Sequence, residues 1–294
     1  MYSFNNNKSI FIINPQAGII PDSLLIQYLK QFKGEFDFAS FSTVEAFRGF
    51  IRSEIDNYDV FIAVGGDGTV NCMASELIGT QKIMGVLPVG SGNGFAREMG
   101  FKPLVKILAK DIRKKEFFDI DVIYVNDIPC INVFGLGLDS LVAHEFSNLR
   151  HRGFFNYGVS AVKVTSRIKP FRVSIDLGNE KISDDFYMVS VANTRQFGNN
   201  AFVAPMAKPD DGKFNLVLLR PFPKYMLPSF VFRMQTKTLK ESKYLKYMEL
   251  ESSITIRSEE ERVHIDGDPT FIKDGITVKI RRNALRILRS SFKK

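Results

Sequence analysis

The apolar run Ser9-Ile10-Phe11-Ile12-Ile13 stops abruptly at Asn14-Pro15. A run with no polar alternation is the pattern of a strand buried on both faces of a parallel sheet. Strands are predicted again at Phe36 to Phe41, Val60-Phe61-Ile62-Ala63-Val64, and Ile83 to Val89. Helical stretches separate them, at Leu24 to Phe32, Val44 to Ile55, Cys72 to Ile78 and Phe95 to Met99, with Lys102 to Lys110 closing the series. Repeated βα alternation predicts a parallel sheet covered by helices on both faces.

The pattern changes near Phe117. Asp119 to Val125, the turn Asn126-Asp127 and Cys130 to Phe134 read as a hairpin. Two helical stretches follow, Leu138 to Leu149 and Phe154 to Ile168. After Pro170, strand-like runs dominate: Arg172 to Leu177, Phe186 to Ala192, Phe214 to Leu219, Ser253 to Arg257, Val263 to Ile265 and Ile276 to Ile280. One helical insert, Tyr225 to Lys237, interrupts them. Strands separated by turns predict an antiparallel sandwich. No Ser- or Gly-rich linker marks the change, so the boundary is one of pattern rather than a tether.

Composition narrows the function classes. At 294 residues, 45% hydrophobic and 24% charged, the chain is an ordinary globular sequence long enough for two domains. Its net charge of +8 suits nucleotide phosphates, an anionic membrane surface or nucleic acid. Nucleic acid has only the charge in its favour and is not expected as a partner. Cys72 and Cys130 lack metal-ligand spacing and are expected as buried free thiols in a reducing compartment. The polar N-terminus has no signal-peptide shape, and no apolar run approaches the roughly 20 residues of a membrane span. The expectation is a cytoplasmic protein, peripheral to the inner face of the membrane; a homodimer is left open.

Two strand–glycine–helix units carry the candidate chemistry. The first is Gly65-Gly66-Asp67-Gly68-Thr69-Val70-Asn71; the second is Gly90-Ser91-Gly92-Asn93-Gly94, with Arg97 one turn on. Adjacent loops of this kind bring many backbone N–H groups to one polyanion. Neither is a P-loop or a dinucleotide fingerprint. Asp67 beside phosphate needs an offsetting Mg²⁺ or a proton in transit. The bland alternatives are a tight turn whose Asp accepts backbone N–H bonds and an ordinary βα turn capped by Asn93. Late in the chain, Asp266 and Asp268 stand at i and i+2; on a strand they would share one face, as a base and a metal ligand do. Their alternative is a hairpin turn with solvated carboxylates.

These motifs resemble those of the diacylglycerol kinase catalytic-domain family, which includes sphingosine kinases and soluble bacterial lipid kinases. The glycine units carry most of the resemblance, with Asn14-Pro15-Gln16-Ala17-Gly18 similar to the family's first motif. Gly135-Leu136-Gly137-Leu138-Asp139, Val191-Ala192-Asn193, Ala204-Pro205, Pro209-Asp210-Asp211-Gly212 and His264-Ile265-Asp266-Gly267-Asp268-Pro269 resemble later landmarks. The resemblance implies an α/β, NAD kinase-like ATP-binding domain over 1–120, rejoined by 283–294, and a β-sandwich lipid-substrate domain over 121–282, with an active site between them. It implies ATP held by Asn14, Pro15, Gln16, Ala17, Gly18, Gly65, Gly66, Asp67, Gly68, Thr69, Val70, Asn71, Gly90, Ser91, Gly92 and Asn93, with Mg²⁺. A structural Mg²⁺ site is implied at the carbonyls of Lys208 and Lys213 and the carboxylate of Asp211; an unmetallated turn is the alternative there.

Two departures stand out. Gly94 replaces an Asp common in bacterial diacylglycerol kinases, and Asp268 replaces the usual Glu, one methylene longer. The expected function is ATP-dependent phosphorylation of a primary lipid hydroxyl, with diacylglycerol the first-choice acceptor and a sphingoid base the alternative. Asp266, Asp268 and Asp67 compete for the role of base. A nucleotide- or lipid-binding protein without kinase activity is the reading from another class, motivated by Asp268. A soluble-substrate kinase akin to NAD kinases shares the Gly-Gly-Asp-Gly loop, but the long β-rich half with its Asp266-Gly267-Asp268 motif weighs against it. Arg150, His151 and Arg152 stand as phosphate contacts or a solvated basic end. Phe154, Phe155, Phe222, Tyr225 and Phe230 are core or membrane contacts, core being the default.

Overall fold

The computed structural model describes residues 8–15, 27, 29–32, 34–147, 168–198 and 200–293. Arg150, His151, Arg152, Phe154, Phe155 and the second helix expected after Leu138 lie outside them, as does most of the expected helix at Leu24 to Phe32, of which Lys30–Phe32 is a 3-10 turn. Met1–Ile120 with Asn283–Lys294 form one unit and Asp121–Arg282 a second.

In the first unit, β1 (Ser9–Ile13), β2 (Asp37–Ser40), β3 (Val60–Gly65) and β4 (Ile83–Pro88) form a parallel sheet in the order β2-β1-β3-β4. The C-terminal end of β16 (Ile276–Leu288) pairs parallel to β4 through Arg286 and Ile287. The sequence pattern ends this strand at Ile280; the structure continues it to Leu288, past the boundary at Asn283 where the chain re-enters the first unit. β1, β3 and β4 are buried along their whole length. Each such Ile, Val or Phe contributes about 1.5–3 kcal/mol by leaving water, which makes these strands the rigid platform for the loops at their ends. Among the helices, α1 (Val44–Glu54) is capped by the Thr43 hydroxyl, and α2 runs Asp67–Leu77. Thus α2 starts five residues earlier than its apolar pattern predicts, and Gly68 to Asn71 are its first turns rather than a loop. Helices α3 (Gly94–Glu98) and α4 (Val105–Lys114) complete the unit.

The second unit is a sandwich. One sheet follows the order β12 (Leu245–Leu250), β11 (Phe214–Leu219), β10 (Met188–Ala192), β7 (Val133–Gly137), β14 (Arg262–Ile265), β15 (Asp268–Phe271), all antiparallel. The other contains β13 (Ile254–Ser258), β8 (Phe171–Asp176) and β9 (Lys181–Phe186) beside the first part of β16, with β5 (Phe117–Val125) and β6 (Ile128–Cys130) joined through the predicted Asn126-Asp127 turn. Both turn residues have positive φ, as a two-residue hairpin requires. Phe134, Leu136, Val189, Val191, Phe214 and Leu216 of the first sheet meet Val173, Ile175, Ile254, Ile256 and Val278 of the second in one core. Leu138 of α5 (Leu138–Ser147) and Leu227 and Phe230 of α6 (Leu227–Gln235) join a separate cluster with Met188, Ala192, Val217 and Leu219. Side chains of alternate residues on β10 and β11 therefore divide between the sandwich core and this helix-covered face.

Candidate active site

β3 leaves the sheet at Gly65, where a side chain would place its Cβ 2.3 Å from the Thr69 hydroxyl; only glycine lets the next helix fold back so tightly. Gly66 then caps α2 with no side-chain hydrogen bond, at the positive end of the helix dipole, the kind of helix end that takes up anions. Asp67 is the first helical residue. Asn14, at the end of β1, donates its side-chain amide to the Thr69 hydroxyl at 3.1 Å, and its backbone N–H to Val64 O at 3.1 Å. The first motif is thereby tied to the second. Pro15 follows in a half-buried turn; Gln16, Ala17 and Gly18 lie outside the described residues.

The second glycine unit packs against the first. Val89 N–H donates to Gly65 O at 3.1 Å, extending the β3–β4 register into the loops. A Cβ on Gly90 would come within 2.4 Å of Gly66 Cα, and one on Gly92 within 2.8 Å of Asp67 Oδ2. Backbone meets backbone here, and the carboxylate of Asp67 lies against Gly92. Asn93 adopts a left-handed conformation (φ 51°) and, instead of capping α3, donates its amide to Gly90 O at 2.6 Å. Arg97 donates to Gly92 O at 3.2 Å, bracing the loop from outside. Ser91 is half-buried between them. The structure thus brings Asn14, Gly65 to Thr69 and Gly90 to Asn93 together at the C-terminal ends of β1, β3 and β4, where ligands of open α/β sheets bind. Val70 is buried and Asn71 half-buried, both on α2.

Asp266 and Asp268 do not share a strand face. Asp266 and Gly267 are the two turn residues between β14 and β15, both with positive φ (52° and 88°), and the Ile265–Asp268 pair closes the hairpin. The left-handed turn swings the Asp266 carboxylate inward. It accepts Ile131 N–H at 2.9 Å, Asn132 N–H at 2.7 Å, Val133 N–H at 3.0 Å and the Cys130 thiol at 3.1 Å. Burial raises the pKa of this carboxyl, against the lowering effect of those four donors. Burial likewise pushes the Cys130 thiol well up, helped by the charge of Asp266. The same bonds explain why the predicted strand from Cys130 to Phe134 is split: Ile131 and Asn132 give their N–H groups to Asp266 rather than to a neighbouring strand. A carboxylate whose four partners are all donors holds a loop together, and it is poorly suited to collecting a substrate proton. Asp268, by contrast, is exposed at the start of β15.

Below this hairpin lies a network the sequence pattern did not reveal. Asp139, at the start of α5, accepts the Ser190 hydroxyl at 2.5 Å and sits 3.4 Å from His264 Nε2. Gly267 N–H donates to His264 Nδ1 at 3.3 Å, linking the network to the turn. Gly135 lies under all of this; a Cβ there would overlap the Asp139 carboxylate. The Gly-x-Gly-x-Asp spacing was the available signal, and pairing with His264 and Ser190 is visible only once β7, β10 and β14 are adjacent.

At the Lys208–Lys213 turn, Asp211 accepts Lys213 N–H at 3.0 Å, and the buried Asp121 accepts Gly212 N–H at 2.6 Å. Desolvation raises the Asp211 pKa, and the charges of Glu249 and Asp121 raise it further, against Lys213 N–H. Such an electronegative turn fits a hard cation. Among the described residues no group of three or more His, Cys, Asp or Glu side chains is placed to hold a metal ion, so a cation here would depend on carbonyl oxygens such as those of Lys208 and Lys213. Cys72 and Cys130 are free and buried. No helix among the described residues is long and apolar enough to cross a membrane.

Comparison with known proteins places this geometry in context. Residues 8–125 match the model of the diacylglycerol kinase catalytic domain, and residues 132–289 that of the YegS C-terminal NAD kinase beta sandwich-like domain. A diacylglycerol kinase of Bacillus subtilis is 26% identical over 294 residues, covering 94% of each chain. A crystal structure of a diacylglycerol kinase from Bacillus anthracis superposes with a TM-score of 0.75 at 19% identity, covering 97% of both chains. An NAD kinase from Archaeoglobus fulgidus, solved in complex with ATP, shares the fold at a TM-score of 0.57 and 15% identity, covering 96% of this chain and 94% of that one. The β-rich half is therefore shared with that NAD kinase and does not by itself separate the two classes.

Proposed function

The chain belongs to the lipid kinase family that joins a diacylglycerol kinase catalytic domain to a YegS-type C-terminal domain, and from that premise we propose that it transfers the γ-phosphate of ATP to the primary hydroxyl of diacylglycerol, giving phosphatidic acid. The observation that carries the reading is the close approach of the two glycine units around the uncapped N-terminus of α2, with Asp67 against Gly92. Backbone N–H groups of Gly66 to Thr69 and Gly90 to Asn93 would hold the nucleotide phosphates, and Asn14 would keep the first motif in register. Mg²⁺ bound with the nucleotide supplies charge neutralisation on the phosphates. Lys208, Asp211 and Lys213 would hold a structural Mg²⁺ in the second unit.

In this reading the acceptor hydroxyl attacks the γ-phosphorus, the bond to the ADP oxygen breaks, and the hydroxyl proton passes to Asp67. Asp268 is the second candidate for that proton. Asp266 is assigned to the fold because its carboxylate is committed to the Cys130–Val133 loop. Radiolabelled phosphate transfer from ATP tests the activity on diacylglycerol, a sphingoid base and NAD in parallel. Label in phosphatidic acid is expected. Label in the sphingoid base or in NAD alone moves the protein to those substrates, and no label in any lipid with intact ATP binding sinks the kinase reading.

Asp268 motivates a second reading, a nucleotide- or lipid-binding protein without turnover. Asp268→Glu restores the family's longer side chain. If neither protein turns over and both bind ATP, the binding-protein reading stands.

A further inference from the structure

We propose that the segment from Lys224 to Lys246, built around α6, is a docking surface for an anionic lipid bilayer. This stretch holds six basic side chains, Lys224, Arg233, Lys237, Lys240, Lys243 and Lys246, against one acid, Glu241, in a chain whose whole excess is +8. Of the aromatics expected to choose between core and membrane, Phe222 and Phe230 enter the core, whereas Tyr225 is 82% exposed. Phe232, not singled out by the sequence pattern, is 63% exposed. The helix explains the division: Leu227 and Phe230 face inward, while Ser229, Phe232 and Arg233, at i, i+3 and i+4, share the outer face. With Thr238 and Lys240 these three line a surface depression of about 480 Å³.

Much of the charge on this face meets no carboxylate among the described residues. Among the described residues no acid pairs with Arg233, Lys240 or Lys246, and Lys237 lies over the Phe202 ring rather than beside a carboxylate. Exposed aromatics projecting from a basic field match the headgroup level of a bilayer, where ring edges meet acyl chains and cations meet phosphates. The choice of a bilayer over other polyanions rests on the lipid-kinase reading, whose acceptor lives in a membrane. Lipid phosphate is thus the committed occupant.

The test is co-sedimentation of the full chain with phosphatidylcholine vesicles containing phosphatidylglycerol, against phosphatidylcholine alone, at low and high salt. Binding is expected only with phosphatidylglycerol and is expected to weaken with salt. Each basic side chain near such a surface is worth about fivefold in binding, so Arg233→Gln with Lys240→Gln is expected to weaken it by about 25-fold. Phe232→Ser is expected to weaken it further, without a change in the circular dichroism melt. Variants that bind like the wild type overturn the proposal. So does wild-type indifference to phosphatidylglycerol, or loss in the variants of binding to a single-stranded oligonucleotide with vesicle binding intact. Phosphate transfer in detergent micelles separates the two readings. Charge-dependent vesicle binding, lost in the variants of a chain that phosphorylates no lipid, keeps the docking surface and removes the kinase. Normal micelle activity with undiminished vesicle binding in the variants does the reverse.

Discussion

At Asp67 and again at Asp266 the chain sets an aspartate beside glycine just past the end of a strand, and the two carboxylates have opposite fates. Asp67 begins a helix whose dipole favours its charge, and it faces the glycine of a neighbouring loop. Asp266 adopts a left-handed conformation that turns it into the unit, where three backbone N–H groups and a thiol converge on it. The contrast is one of backbone geometry rather than residue type. The strand-to-helix junction presents Asp67 to the loops around it, while the β14–β15 turn swings Asp266 inward onto the Cys130–Val133 loop. A Gly-Asp-Gly or Asp-Gly-Asp string therefore does not identify a catalytic carboxylate until the turn that carries it is known.

The sharpest way to break this contrast is to neutralise each carboxylate. Asp67→Asn is expected to lower turnover in the lipid assay by about 10²–10⁴-fold, the usual worth of a positioned base. Its melting temperature should stay near that of the wild type. A variant that turns over within tenfold of the wild type would remove Asp67 from the chemistry. Asp266→Ala should behave inversely. Stranding its donors costs about 1–3 kcal/mol for each one left unsatisfied, so a loss of roughly 3 kcal/mol or more is expected. For a unit of this size that corresponds to a melting temperature lower by about 6–12 °C. Unchanged melting together with abolished transfer would return Asp266 to the active site.

The legible parts of the fold are those whose pattern is set by burial. β1, β3, β4 and β11 are apolar on both faces and fall where the sequence predicts them. β9, β12 and β15 escape the pattern, and all three are sheet edges. Their outer sides meet water, so Asp184, Asp185, Lys246, Glu249 and Asp268 dilute the apolar signal. The glycine units were legible because the Gly66 backbone at Gly90 and the Thr69 side chain at Gly65 leave no room for a Cβ. The role of Asp266 was not legible, because its donors come from Cys130 to Val133, more than 130 positions away. The Asp139–Ser190–His264 cluster is hidden for the same reason: three strands distant in sequence must first lie side by side.

A smaller perturbation tests whether the first aspartate depends on the approach of the two loops. Gly90→Ala places a Cβ against the Gly66 backbone, which has no flexible end to move aside. Overpacking of this kind costs about 1–3 kcal/mol. The loops are expected to separate, with ATP affinity in calorimetric titration falling by roughly tenfold, since about 1.4 kcal/mol is one decade. Wild-type ATP affinity would show that the nucleotide does not need the loops in contact.

The smallest effect concerns the balance of forces on Asp266 itself. Burial is the largest influence and raises its pKa above the ordinary 3.8, while the Cys130 thiol and the three N–H groups pull the other way. A folded carboxyl with a raised pKa binds its proton more tightly than the unfolded chain does. Its contribution to stability is then fully present below 3.8 and is lost as pH rises through the raised value. The stability gap between wild type and Asp266→Ala should therefore narrow as pH rises through that window, by about 1.4 kcal/mol for each unit of upward shift. Chemical denaturation at a series of pH values from acid to neutral measures the gap directly. Gly90→Ala, which removes no titrating group, should keep a constant gap across the same series. A gap that instead widens with pH would mean that the four donors outweigh burial. The carboxylate would then be held by its partners as a permanent anion, and Asp266 would resemble an ion-binding loop with the ion supplied by the chain.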